Sequence, residues 1–369
     1  MAKYLKLFET HAEYEAYSGG GEMLLPNVSY CKDNNEVHYN PFYETRLIAK
    51  FNVTDTDSPT SICYSDAVSS ITEIEIDGVV QPSVEYEYTF DTTGEHIVKY
   101  TLSDPTSIGD SAFYGCSGMT SVIIPNSVTS IGYGAFEECA GLTSIDIPNS
   151  VTSIRSFVFN NCSGLTAINV DENNTAYSSI DGVLFNKSQT ELVLYPTGKQ
   201  GAYTIPNSVT SIGDSAFYVC TGLTSVNIPD SVTSIGIGAF YDCTGLTSVT
   251  IPNSVTNIEG ETFCGCTGLT SVTIGNSVTI IGASAFTECT GLTSVTIGNS
   301  VTDFYENAFW GCTGLTSMVI EATTPPVLAD GAFSNTNNFS IYVPSESVDA
   351  YKAASGWSTY ASRIQPITA

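Results

Sequence analysis

Apolar positions recur with two different periods along this chain. Before Ser107 the period is two: Arg46–Val53, Ile71–Ile76, Val84–Phe90 and His96–Leu102 alternate apolar with polar residues, and Asp77-Gly78 and Thr93-Gly94 stand between them as turn signals. Several short strands at this spacing predict a small β-sandwich-like region over residues 41–103. Further upstream, Tyr4–Phe8 alternates like a strand, and Thr10-x-x-Glu13 has the form of a capping box opening a short helix that Gly19-Gly20-Gly21 would end. Asn27–Cys31 and Glu36–Asn40 predict a hairpin turning on the polar run Lys32–Asn35, so residues 1–40 read as a separate α+β module.

A longer period begins at Ser107. Ser107–Thr129 reads SIGDSAFYGCSGMTSVIIPNSVT, and near-copies follow to about residue 320. Cys116, Cys139, Cys162, Cys220, Cys243, Cys266, Cys289 and Cys312 are spaced by 23 residues, except for one interval that is 35 residues longer. In the copy Thr244–Cys266, Leu246 leads into a strand on which Val249 and Ile251 point inward while Ser248 and Thr250 face out. Pro252 cannot donate to a ladder and ends that strand. Val255 and Ile258 turn the chain back along the core, and in copies such as Ile235–Cys243 an Ala-Phe pair plugs the corner from a short helix or 3₁₀ turn. A Gly two residues after every column cysteine suits a left-handed stop before the next strand. A period of this length predicts a leucine-rich-repeat solenoid over residues 104–344, with short parallel strands and short helical or 3₁₀ corners, behind a small mostly-β N-terminal region.

The long interval, about residues 171–203, is patterned. Val183–Asn186 and Glu191–Tyr195 are apolar runs around Lys187–Thr190, which predicts a hairpin projecting from the solenoid. Its Asp171, Glu172, Asn173, Asn174 and Asp181 match no calcium-loop spacing and read as an acidic, solvated loop. After Cys312 the pattern degrades: Ala332-Phe333 is a last corner, Ile341–Pro344 a last strand, and Ser345 caps a helix running to Ala354. Residues 345–369 thus form the C-terminal cap that a solenoid needs over its open end.

Charge and chemistry narrow the function. The chain carries 38 acidic against 11 basic residues, and no Lys or Arg lies between Lys199 and Lys352. Nucleic-acid binding needs clustered cations to displace counterions from phosphate, so it is not expected. No apolar run has the ~18 residues of a membrane span, so no membrane insertion is expected, and the start MAKYLKLFETHAEYEAY does not read as a secretory signal. The column cysteines read as small buried hydrophobes with reduced thiols, because the repeats contain no His and no zinc-type ligand spacing. His11, His38 and His96 all precede the repeats and read as structural residues. With no nucleophile elbow, P-loop or metalloprotease motif, neither an enzyme nor a cofactor is expected.

The repeat pattern AF-x-x-C-x-G-L-T-S-V-x-I-P-x-S-V-T-x-I, nearly intact at Ala216–Ile235 and Ala239–Ile258, resembles the BspA-like leucine-rich repeat family of gut Bacteroidetes and some oral and parasitic organisms. The segment Ile180–Pro196 (IDGVLFN…LVLYP) is similar to the hairpin interruption of such proteins, and Tyr342–Trp357 to their C-terminal end. The resemblance implies a surface or secreted protein, linked to adhesion and to binding host proteins or other cells. The N-terminal module resembles segments heading repeat proteins of Bacteroides and their phages, which implies as the alternative a virion structural module attached through that region.

Specificity has to come from positions that do not repeat. The outward strand column runs Ile123, Asp146, Asn169, Asn227, Thr250, Thr273, Thr296 and Val319. The column after the corner Phe runs Tyr114, Glu137, Asn160, Tyr218, Tyr241, Cys264, Thr287 and Trp310. The outward strand face, with Tyr114, Tyr218, Tyr241 and Trp310 as exposed aromatics at its rim, is the expected contact surface for a protein or glycan partner. Drift at unconstrained positions and the strand preference of Thr explain the same columns without a partner.

Overall fold

A computed structural model describes residues 28–31, 36–39 and 46–368. The expected strand at Tyr4–Phe8 and the capped helix after Thr10 lie outside these residues. The chain divides into two compact units, residues 1–163 with 169–176, and residues 164–168 with 177–369. The repeats wind a parallel-strand β-solenoid of about 11 turns with little helix, as the 23-residue period requires.

In the first unit, Val28–Cys31 and Glu36–Tyr39 form the antiparallel hairpin. Leu47–Val53, Gly94–Leu102, Ile71–Ile76 and Val79–Val80 make one antiparallel sheet, and Thr60–Ser61 pairs separately with Glu87–Tyr88. The sheet's other edge strand is Met119–Ile123, the first long strand of the solenoid, which runs antiparallel to Leu47–Val53. The region before the repeats therefore covers the end of the first coil and supplies partners for its backbone. Tyr100 completes the cover: its ring packs edge-on at 5.0 Å against Phe113, and its hydroxyl donates to Ile62 O at 2.6 Å.

Each corner is built around a Phe that stacks on the Phe of the next coil. In the first unit Phe113, Phe136 and Phe159 follow at 5.3 and 5.8 Å. In the second the ladder Tyr195, Phe217, Phe240, Phe263, Phe286, Phe309 and Phe333 has spacings between 4.7 and 5.9 Å. Each corner, expected as a short helix or 3₁₀ turn, is a turn in which 3₁₀-type bonds alternate with bonds to the next coil. Ala112, Tyr114 and Cys116 N–H donate three residues back, while Ser111, Phe113 and Gly115 donate forward to Tyr133, Ala135 and Glu137 of the next coil. Alternation requires left-handed residues five and one before each cysteine, such as Ser111 (φ 53°) with Gly115 (φ 73°), or Glu261 (φ 58°) with Gly265 (φ 72°).

The Gly two residues after the cysteine is therefore not the left-handed stop expected from the sequence. Its role is close approach: a Cβ on Gly268 would lie 2.2 Å from Thr244 O, and one on Gly291 2.3 Å from Thr267 O of the preceding coil. Gly118, in the first coil, has no such neighbour, and there the nearest atom would be Thr60 Cγ2 at 3.4 Å.

The cysteine column is buried with free thiols. Six of the eight donate Sγ to the carbonyl of the Phe one coil back, as from Cys139 to Phe113 O at 3.1 Å and from Cys243 to Phe217 O at 3.0 Å, and Cys220 faces Tyr195 O at 3.7 Å. Burial pushes the Cys162 thiol up to about 12, so that thiol stays protonated and inert.

The insertion does not project. Tyr177–Ile180, Val183–Asn186 and Glu191–Leu194 form an antiparallel meander whose last strand pairs in parallel with Ser211–Ile212 of the solenoid. Val183, Phe185 and Leu192 are core residues for this reason. Tyr195 takes the place of the corner Phe, and Gly198 stands where the cysteine would follow. The interruption of the cysteine column is thus one more coil with a changed corner. In the preceding loop Asn174 is fully buried rather than solvated, and its amide donates to Pro148 O and Val151 O at 2.8 Å.

At the C-terminus, Ser345–Ser347 is a 3₁₀ turn and the helix is Val348–Ala353. Ser345 does not cap it, because its hydroxyl bonds Glu346 Oε2 at 3.2 Å. Tyr351 and Trp357 close the core, donating to Ala322 O and Pro326 O at 2.9 and 2.7 Å.

Candidate functional site

The strand side of the second unit holds two threonine columns that differ in one respect. Thr247, Thr270, Thr293 and Thr316 each turn the hydroxyl onto the carbonyl of the equivalent threonine one coil back, at 2.9 to 3.2 Å. Three residues later, Thr250, Thr273 and Thr296 lie in register across adjacent parallel strands. Their hydroxyls have no intramolecular partner among the described residues, and Thr250 and Thr273 are exposed. One column is committed to holding the coils together. The other is free to bind something else.

Ser248–Ile251, Ser271–Ile274, Ser294–Ile297, Ser317–Ile320, Ser340–Val343 and Ile364–Pro366 form one continuous six-stranded sheet. Leu223–Asn227, the strand before them, pairs with Gly201–Thr204 through a bulged register and is not laddered to Ser248–Ile251. The strand-ending residue accounts for one missing bond. Gly275, Gly298 and Glu321 donate N–H to Ile251, Ile274 and Ile297 O at 2.9 to 3.1 Å, whereas Pro252 has no N–H to offer Ile228 O. The first unit has the same break between Met119–Ile123 and Ser144–Ile147, where Pro148 is the strand-ending residue.

At the break in the second unit the sheet opens into a groove of about 530 Å³. Tyr203, Val226, Ile228, Val249 and Ile251 supply its apolar surface, and Thr204, Asn227, Asp230, Thr250, Asn253 and Thr273 supply polar groups. Of the column expected from the sequence, the groove gathers Asn227, Thr250 and Thr273, while Thr296 lies outside it on the continuous sheet. In the first unit Asp146 and Asn169 are exposed and tied to each other, amide to carboxylate, at 2.9 Å. Tyr203, Thr204, Asp230 and Asn253 were not among the expected residues.

The aromatics expected at the rim are part of the corners and do not line the groove. Tyr218 and Tyr241 are half-buried and stack at 4.8 Å with their planes 7° apart. Burial first, then the neighbouring Cys264, Asp242, Tyr218 and Glu261, push the Tyr241 hydroxyl up to about 12. Tyr114 packs on Tyr64 at 5.3 Å, and Trp310 is half-buried. Between Tyr114 and Tyr218 the column carries a bonded pair, with the Asn160 amide donating to Glu137 Oε1 at 2.7 Å.

Titratable groups elsewhere serve the fold. His96 is buried, with Nδ1 2.7 Å from Asp77 Oδ2 and Nε2 2.9 Å from Thr92 O. Burial works against its charge, but the Asp77 carboxylate and the Thr92 carbonyl outweigh it and raise the imidazole above its usual range. Glu75 is held between Arg46 at 2.8 Å and Lys99 at 3.1 Å. Among the described residues no group of three His, Cys, Asp or Glu is placed to hold a metal, and no helix is long and apolar enough to cross a membrane.

The model of the BspA type leucine rich repeat region, with six copies, matches residues 85–200, 193–316 and 233–354. No curated protein matches the chain. Among solved structures, a leucine rich cell surface protein of Faecalibacterium prausnitzii is similar at 38% identity over 58% of this chain, with a TM-score of 0.53. The chain spans 56% of that protein's length. A leucine-rich repeat protein of Eubacterium ventriosum is similar at 25% identity, over 63% of this chain and 80% of its own, with a TM-score of 0.50. The pneumococcal vaccine antigen PcpA, at 20% identity over 71% of this chain and 75% of its own and a TM-score of 0.52, shares the fold. With a family match running from residue 85 to 354 and the repeat geometry laid out above, the chain belongs to the BspA type leucine-rich repeat family.

Proposed function

We propose that this chain is a non-enzymatic binding and adhesion protein that presents the outward strand face of its solenoid to a protein or glycan partner. The observation that carries this reading is the contrast between the two threonine columns. Thr247, Thr270 and Thr293 use their hydroxyls on the neighbouring coil, while Thr250, Thr273 and Thr296 hold theirs in register and unused. An unused polar array on a rigid sheet costs little to organise on binding, because its side chains are short and its backbone is already fixed. The cell-surface description of the F. prausnitzii protein, a relative in fold and sequence, supports the same reading.

The test uses the full chain against immobilised extracellular-matrix proteins and an oligosaccharide panel. Saturable binding to at least one surface is expected, weakened about tenfold or more by the triple variant Thr250→Ala/Thr273→Ala/Thr296→Ala. Unchanged affinity in that variant would remove the strand face from the proposal.

A further inference from the structure

We infer that the groove at the sheet break is a binding site for a neutral oligosaccharide; this rests on the reading of the strand face as a binding surface and specifies one ligand class for it. Three observations lead there. First, the groove's volume of about 530 Å³ falls within the ~300–1,000 Å³ of small-ligand sites. Second, its polar groups are amides, hydroxyls and a single carboxylate, and the side chains of Asn227, Asp230, Thr250 and Thr273 have no partner among the described residues. Donors and acceptors of this kind match the hydroxyl groups of a neutral sugar, while the Tyr203 ring beneath them packs on Tyr195 at 4.9 Å and belongs to the core. Third, the ligand's charge is constrained. No Lys or Arg occurs between Lys199 and Lys352, so sialylated, sulfated or phosphorylated sugars would meet only carboxylates. One carboxylate, Asp230, is too little to select a polycation.

An extended peptide adding as a strand fits the groove less well. Strand addition needs one unpaired edge open to solvent, whereas here the unladdered sides of Leu223–Asn227 and Ser248–Ile251 face each other. Backbone groups at the break also lack ladder partners, which adds main-chain donors and acceptors to the side chains lining the site.

The experiment screens the full chain against mannose-, galactose-, glucose- and N-acetylglucosamine-terminated oligosaccharides, alongside sialylated and sulfated ones. The strongest neutral binder is then titrated calorimetrically. Asn227→Ala/Asp230→Ala is expected to weaken it about tenfold or more, and Thr250→Phe, which fills the groove, to abolish it. Ile237→Phe, at an exposed corner position outside the groove and the threonine columns, is expected to leave affinity within about twofold. Circular dichroism of each variant confirms that the fold is kept. Binding of charged sugars only, binding of none, or equal loss in Ile237→Phe would overturn the inference. Binding to enzymatically deglycosylated matrix protein, lost in the Thr250/Thr273/Thr296 triple alanine variant while no sugar binds, would overturn the glycan site and leave the strand-face function standing. Absence of both kinds of binding would remove both.

Discussion

Two stretches of the same sheet column, built from nearly the same sequence, behave differently. From Ser248 to Val343 every long strand is laddered to the next, and the outward threonines form a flat file. One coil earlier, Leu223–Asn227 is bulged against its predecessor and unladdered to its successor, and the sheet opens. The core does not register the difference: Phe217, Phe240 and Phe263 stack through the break at 4.7 and 5.1 Å. What holds the coils together is thus separable from what shapes the surface. Interior columns can stay constant while the surface ladder breaks, and the strand-ending Pro is one contributor only, because the strands before Pro229 and Pro344 stay laddered to their predecessors.

The largest expected effect tests that separation. Phe240 and Phe286 are both fully buried, so truncating either to Ala should cost about 3–5 kcal/mol. If the aromatic ladder bridges the break without help from strand bonds, Phe240→Ala should fall at the upper end and Phe286→Ala at the lower. Urea unfolding of the two variants measures this, and the reverse order would break the comparison. Next comes the strand end itself. Gly275→Pro removes the N–H that bonds Ile251 O at 3.0 Å, and should cost about 1–3 kcal/mol while speeding amide exchange around Thr273. Pro252→Gly should slow exchange around Thr250 by offering a donor to Ile228 O. If neither variant changes protection, another residue sets the break.

The fold was legible because its information is repeated. Cysteine spacing, inward Val and Ile, and the corner Phe each recur often enough to fix the coil, and the structure keeps them. Two misreadings have one cause, which is that a single copy does not show what the neighbouring coil places against it. The Gly after each cysteine looks like a left-handed stop in one repeat, and only stacking reveals the carbonyl 2.2 to 2.4 Å from where a Cβ would be at Gly268, Gly291 and Gly314. Likewise the hairpin looked external because Tyr195 and Gly198 replace the Phe and Cys by which the coils were counted. Gly291→Ala should therefore destabilise by about 1–3 kcal/mol through overpacking, with Gly118→Ala within about 0.5 kcal/mol. Equal melting temperatures for the two would contradict the close-approach account. Of the candidate site, the column Asn227, Thr250 and Thr273 was legible from its variation, but the groove was not, because it arises from a bond that fails to form between coils.

The smallest expected effect concerns the threonines. Thr270 and Thr273 sit three residues apart in one coil, and both precede or lie on the same strand. In the sequence they look alike. The Thr270 hydroxyl donates to Thr247 O at 3.0 Å, so Thr270→Val discards a bond worth about 0.5–1.5 kcal/mol. Thr273 has no such bond to lose, and Val is at least as good a strand former, so Thr273→Val should leave stability within about 0.5 kcal/mol. Ligand affinity should show the opposite ranking, with Thr273→Val weakening binding and Thr270→Val leaving it unchanged. A double dissociation between unfolding and binding would assign the two columns to different roles. If both variants lowered stability equally, Thr273 would belong to the scaffold, and the strand face would lose the distinction on which its proposed function rests.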